Sequence, residues 1–287
     1  MADPARSAGA GDAPSLRREA PIGVFDSGLG GLTVARAVVE ALPHEDLMYL
    51  GDTARVPYGT RSSHTVIRYA RGCAHHLRAH GIKALVVACN TVSAVAVDML
   101  RVELDVPVIG VVEPGARAGV ASSRTGRIGV IATAGTVASG AYVRAVAGAD
   151  SRAEVFAEAA PLLVPLAEEG WTEGDVPAQV VRRYLAPFAG AGIDALVLGC
   201  THYPLLAPVI EAEARLSCGA GVQVVDSAHA TATELAAVLA DRSLTTPRSE
   251  PGAFRLLVTD IPGRFAEVAS RFLGREVAAE SVTQVDL

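Results

Sequence analysis

The sequence predicts an α/β protein made of two similar parallel-sheet domains, related by pseudo-two-fold symmetry, with the active site in the cleft between them. Three observations predict it. Short runs such as Ala84–Cys89 and Ala195–Cys200 are almost continuously apolar, the pattern of strands buried on both faces of a parallel sheet. These runs alternate with segments of helical periodicity, as in βαβ units. The order of strand, turn, helix and strand also occurs twice in 287 residues, a length that suits two domains.

Residues Pro21–Phe25 read as the first strand, Asp26–Gly31 as a turn, and Leu32–Ala41 as a helix of 3.6 periodicity. A second strand is expected over Leu47–Leu50, a helix over His64–His80 and a third strand over Ala84–Ala88. The order then recurs. Arg127–Ile131 reads as a strand, Ala132–Thr136 as a turn, Val137–Ala147 and Gln179–Ala189 as helices, and Ala195–Leu198 as a strand. The best internal match aligns Gly81–Thr91 with Gly192–His202, so each half sets a cysteine just past a buried strand, followed at once by polar residues. The lead-in strands match too, and Cys89 follows Val24 by 65 residues while Cys200 follows Val130 by 70.

Bulk properties exclude several classes. Half the residues are apolar, yet no run approaches the ~20 needed to span a bilayer. The net charge of −6 comes with acids and bases interspersed and no basic stripe, which gives a nucleic-acid partner no electrostatic footing. The four cysteines, Cys73, Cys89, Cys200 and Cys218, form no C-x-x-C pair and read as free thiols of a reducing cytoplasm, with no metal site. Residues 1–20, rich in Ala, Gly, Pro and Arg, lack the apolar core of a signal peptide and are expected to be a disordered tail.

Ligands of open α/β sheets bind beyond the carboxyl ends of the strands. Two such domains face to face bring Cys89 and Cys200 to opposite sides of one bound molecule. Inverting a Cα centre needs a base on one face and an acid on the other, and thiols, with an ordinary pKa of ~8.5, can fill both roles once tuned. Each half offers a helper: Asp26, at the same sheet edge as Cys89, and His202, two residues after Cys200. Pyridoxal chemistry would need a Schiff-base lysine. The only lysine, Lys83, precedes a strand on the side away from the cleft, so no cofactor is expected. Donors from Ser27, Asn90, Thr91, Thr201, the glycine turns and helix N-termini would hold the carboxylates and the developing charge instead.

Blander readings stand beside these. A lone strand-end cysteine is usually a small buried apolar residue, and Cys73 and Cys218 keep that reading. The Gly28–Gly31 turn is neither G-x-G-x-x-G nor a P-loop, and Asp26 could simply cap the following helix. His76 and His80 share a helical spacing but read as a solvated face, and Trp171 lies in a loop-like stretch. The residues alone leave open a one-cysteine thiol hydrolase and a small-molecule binding protein.

The motifs Pro21–Gly31, Gly51-Asp52-Thr53 with Pro57-Tyr58-Gly59, Ala88–Thr91, Pro114-Gly115-Ala116 and Leu198–Pro204 occur in one order. Over about residues 21–240 the chain thereby resembles the aspartate/glutamate racemase superfamily, and within it the glutamate racemases. The resemblance implies cofactor-free interconversion of L- and D-glutamate for peptidoglycan in the cytoplasm. It implies acid/base roles for Cys89, which deprotonates the D-enantiomer, and Cys200, which deprotonates the L-enantiomer, assisted by Asp26 and His202. It further implies substrate contacts at Asp26, Ser27, Tyr58, Gly59, Asn90, Thr91, Thr133, Thr136, Thr201 and His202, and a homodimer. It also implies a discontinuous division, 21–113 plus 227–287 and 114–226. Another racemase or isomerase of the superfamily, acting on aspartate or a hydantoin, would share the chemistry and differ in the pocket.

Overall fold

The computed structural model describes residues 18–287, so nearly all of the tail expected over 1–20 lies outside the described residues. The chain runs β1 (Ile22–Asp26), α1 (Leu32–Ala41), β2 (Leu47–Gly51), α2 (Ser63–Ala79), β3 (Ala84–Val87), α3 (Asn90–Glu103), β4 (Val108–Gly110) and α4 (Val112–Ser122). It continues with β5 (Arg127–Ala132), α5 (Ala134–Ala138), α6 (Ala141–Ala149), β6 (Glu154–Ala159), α7 (Leu163–Glu168), α8 (Asp175–Leu185) and β7 (Ala195–Gly199). It ends with α9 (Ala207–Cys218), β8 (Gln223–Asp226), α10 (Ser227–Asp241), β9 (Phe254–Val258), α11 (Pro262–Leu273) and β10 (Val282–Gln284).

The strands form two sheets, in the orders β10-β9-β2-β1-β3-β4 and β6-β5-β7-β8. Every pairing is parallel, the α/β class that the apolar strand runs predict. The central strands β1, β3 and β7 are buried along their whole length. Because successive side chains point to opposite faces, Ile22 and Val24 pack with Leu32, Leu235 and Phe265 on one side, while Phe25 packs with Leu77 and Val92 on the other. The second sheet repeats this plan, with Val130 against Tyr142 and Val146 and Ile131 against Val181 and Ile210. Truncating such a residue, Leu235→Ala for instance, costs about 2–5 kcal/mol.

Register decides where the chemistry goes. Asp26 is opposite Gly51, and Phe25 is opposite Val87, so Asp26 and Cys89 share one carboxyl edge. Ala132 is opposite Gly199, which sets Thr133 and Cys200 at the matching edge of the other sheet. Lys83 lies at the far edge, fully buried. Its Nζ donates to Glu45, to the Leu244 carbonyl at 2.8 Å and to the Arg18 carbonyl at 2.5 Å. It is a structural tie below the sheet.

Two expected helices differ: the one expected over Gln179–Ala189 starts earlier, at Asp175, and ends at Leu185, followed by a 3-10 turn over Ala186–Phe188. Val137–Ala147 is two helices, α5 and α6, because Gly140 between them takes φ 65, a left-handed conformation that glycine adopts without a Cβ penalty. The 3.6-residue apolar spacing continues across the break, so periodicity alone did not reveal it.

Candidate active site

A cavity of about 240 Å³ opens between the two carboxyl edges, small beside the ~300–1,000 Å³ of drug-sized sites. Its wall includes Ser27, Tyr58, Gly59, Cys89, Asn90, Thr91, Thr133, Cys200, Thr201 and His202. Asp26 and Thr136 stand just behind it. Thr136 Oγ1 lies 2.9 Å from Thr133 Oγ1 and 3.4 Å from Thr91 Oγ1. A second cavity of about 210 Å³ between α3, α4 and α6 holds neither cysteine.

Cys89 immediately precedes α3 in extended conformation. Its Sγ is 3.5 Å from Ser27 Oγ, and the first N–H groups of α3, which have no intrahelical partner, lie beside it. Burial, followed by the negative charge of Asp26, pushes the Cys89 thiol up to about 12. Asp26 is itself raised by burial, against the pull of His202 and of backbone N–H groups from Gly31, Gly28 and Ser27. Its Oδ2 accepts from Gly28 N at 3.0 Å. The cap position of α1 is Gly31, with no side-chain cap, so Asp26 braces the turn from below.

Cys200 ends the equivalent strand in the other sheet. Its Sγ is 3.8 Å from His202 Nδ1, and His202 Nε2 is 3.0 Å from Glu168 Oε1. Burial opposes charge on His202, but the bonds to Cys200 and Glu168 outweigh it and bring the imidazole up to about 10. Both partners therefore favour the protonated ring. Tyr203, fully buried, donates to the Ala160 carbonyl at 2.8 Å and anchors this turn.

The two edges meet through Gly30. A Cβ there would lie 2.5 Å from His202 Nδ1 and would overlap Thr201 Oγ1, so only glycine allows the approach. Thr33 Oγ1, one turn on, donates to the Thr201 carbonyl at 3.1 Å.

Two residues that the sequence reading left out belong here. Glu168 lines the cavity and holds His202. Asp52, fully buried, accepts from Tyr58 Oη, from Arg55 Nε at 2.6 Å and from Thr259 Oγ1 at 2.9 Å, and so fixes the Pro57–Gly59 loop. Asp52 had a signal, its place in the Gly51-Asp52-Thr53 motif; Glu168 had none, on a six-residue helix.

Among the described residues, three buried side-chain polar atoms have no hydrogen-bond partner: Asp26 Oδ1, Asn90 Nδ2 and His76 Nε2. Buried polar atoms ordinarily find partners; Asn90 lines the cavity and Asp26 stands just behind it. They offer one acceptor and one donor, a set that suits an ammonium and a carboxylate. No group of three or more His, Cys, Asp or Glu side chains able to hold a metal occurs among the described residues. No helix among them is long and apolar enough to cross a membrane.

The profile of the Asp/Glu/Hydantoin racemase family matches residues 22–235. The chain is 50% identical over 266 residues to a glutamate racemase of Geobacter metallireducens, covering 93% of this chain and 96% of that protein. It is similar to the solved glutamate racemase of Bacillus anthracis, with TM-score 0.88, 38% identity and 94% and 99% of the two chains covered. It is also similar to that of Francisella tularensis in complex with D-glutamate, with TM-score 0.85, 35% identity and 94% and 98% covered.

Proposed function

The chain belongs to the Asp/Glu/Hydantoin racemase family, among its glutamate racemases, and from that premise we propose that it inverts glutamate by proton transfer between Cys89 and Cys200, with no cofactor. The observation that carries this reading is one cavity walled by two cysteines from two different sheets, each with its own polar helper.

In the L-to-D direction the Cys200 sulfur takes the Cα proton and the Cys89 thiol delivers one to the opposite face. The D-to-L direction reverses the two roles. A Cys89 thiol held up to about 12 keeps its proton at neutral pH, which suits the delivering role. Asp26 is the group that can draw that proton off when Cys89 must act as the base. On the other side the imidazolium of His202, held by Glu168, exchanges a proton with Cys200. Negative charge developing at the substrate carboxylate is met by Asn90 Nδ2, the hydroxyls of Ser27, Thr91, Thr133 and Thr201, and the first N–H groups of α3. Tyr58 and Gly59 bound the far end of the cavity, and Thr136 orients the threonine pair. Lys83 takes no part.

The division 21–113 plus 227–287 and 114–226 belongs to the same reading. It is supported by the origin of the strands, since β9 and β10 join the first sheet and β5–β8 form the second. Supply of D-glutamate to peptidoglycan, a cytoplasmic setting and a homodimer are the accompanying biological proposals.

Purified protein incubated with L-glutamate and no added cofactor should take the circular dichroism of the solution to zero, with L-aspartate run alongside as the discriminating substrate. Glutamate binding with undiminished optical activity would reduce the chain to a binding protein. Faster loss of signal from aspartate would reassign the substrate.

A further inference from the structure

The helper pair on the Cys200 side is gripped by a helix of the other sheet. α11 starts from Ile261, a β-branched residue at φ 47, where such side chains are true outliers. Near its end Phe272, 1% exposed, meets the His202 ring edge-on, with centroids 5.4 Å apart and planes at 87°. One residue earlier, Arg271 Nη1 donates to the Glu168 carbonyl at 2.6 Å. Glu168 closes α7, so Arg271 bonds a carbonyl of the last turn and its charge complements the helix dipole there. The same guanidinium packs over Gly170 and lies 3.7 Å from Glu267. The reach of α11 toward Cys89 is indirect, through Phe265 against Tyr49, whose hydroxyl donates to the Gly28 carbonyl at 3.0 Å.

We propose that Phe272 and Arg271 are positioning residues for the His202–Glu168 pair, so that proton transfer at Cys200 depends on the end of α11 while transfer at Cys89 does not. Phe272 fixes the plane of the imidazole, and Arg271 fixes the backbone from which Glu168 reaches it. Neither side chain touches the substrate cavity. The proposal rests on the assignment of Cys200 and His202 made above.

The test uses the full chain with Phe272→Leu and the half-exposed Arg271→Met, which removes the donor without opening the core. Each is assayed on L- and D-glutamate carrying hydrogen or deuterium at Cα, with Tm measured in parallel. The expected result is a kcat lower by about 10- to 100-fold in both directions, the size of a small misplacement, with KM within about twofold. The primary isotope effect on kcat should rise for L-glutamate, whose Cα–H goes to Cys200, and shrink for D-glutamate. Arg271→Lys, which keeps a donor, should recover most of the loss. Unchanged kcat, or isotope effects altered alike for both enantiomers with a lowered Tm, would overturn the proposal. Cys200→Ala separates the two levels: if it still turns over, the underlying assignment fails; if it is dead while the variants behave symmetrically, only the role of α11 fails.

Discussion

Cys89 and Cys200 occupy equivalent places, each just past a central buried strand and each 6% exposed, yet their surroundings differ in kind. Beside Cys89 stand a hydroxyl and a carboxylate, Ser27 and Asp26, and the thiol is pushed up to about 12. Beside Cys200 stands an imidazole braced by a carboxylate, His202 with Glu168. Cys89 is served from its own sheet, whereas His202 is held partly by residues of the other one, Gly30 and Phe272. The duplicated architecture thus preserves the placement of sulfur and not its polar neighbours. Under the proposed two-cysteine mechanism, the two directions of the reaction need not be limited by the same step.

The largest expected effect tests whether the two sites are equally necessary. Cys89→Ala and Cys200→Ala should each lower glutamate turnover about 10³-fold or more, the scale of a lost acid/base group. Circular dichroism decay with either enantiomer measures it. A variant keeping a tenth of the rate would break the comparison and favour one-cysteine chemistry.

Gly30→Ala should come next, lowering kcat about 100-fold, because the added methyl meets Thr201 and His202 and forces the two edges apart. Steady-state kinetics with a matched Tm would show a fall in kcat out of proportion to any loss of stability.

Glu168→Gln should cost about 100-fold, at the weak end of helper effects, and should move a pH limb. Wild-type activity that needs the imidazolium falls as pH rises through about 10. Glu168 is among the groups raising that value, so the limb moves to lower pH in the variant. Stability follows the same sign. The folded His202 is raised above its unfolded ~6.5, so its contribution is full below that pH and lost as pH rises through about 10. Denaturation midpoints of wild type and variant should converge above about 10. A limb that stays in place would remove His202 from proton handling.

The smallest effect on turnover is expected at Lys83, which lies outside both halves of the comparison. Lys83→Met should leave kcat intact while lowering stability by about 3–5 kcal/mol, because Glu45 is left buried without its cation. A catalytic loss at unchanged stability would reopen the question of a lysine-bound cofactor.

The parallel sheets and both cysteines were legible because they depend on local pattern. An apolar run ending in Cys and a polar residue is written within eleven positions, and it is written twice. Asp26 and His202 were legible by adjacency to those runs. Glu168 was not: α7 is too short to show a period, and the partner of Glu168 lies 34 residues on. The roles of Asp52 and α11 rest on contacts such as Thr259 to Asp52, 207 residues apart, and Phe272 to His202. No window along the chain contains both members of such pairs. The break at Gly140 was hidden for a different reason, since apolar spacing records which face is buried and not where the backbone turns.

The central claim is that two sulfurs work on opposite faces of one carbon, and the location of deuterium after a partial reaction tests it most directly. L-glutamate is incubated with the enzyme in D₂O, stopped at a few per cent conversion, and the enantiomers are separated and examined by ¹H NMR or mass spectrometry. Two monoprotic groups in exchange with solvent predict D-glutamate carrying deuterium at Cα from the first turnovers, with the remaining L-glutamate still protiated. D-glutamate that retains its original Cα hydrogen would mean that one group carries the proton from face to face, and would contradict the account.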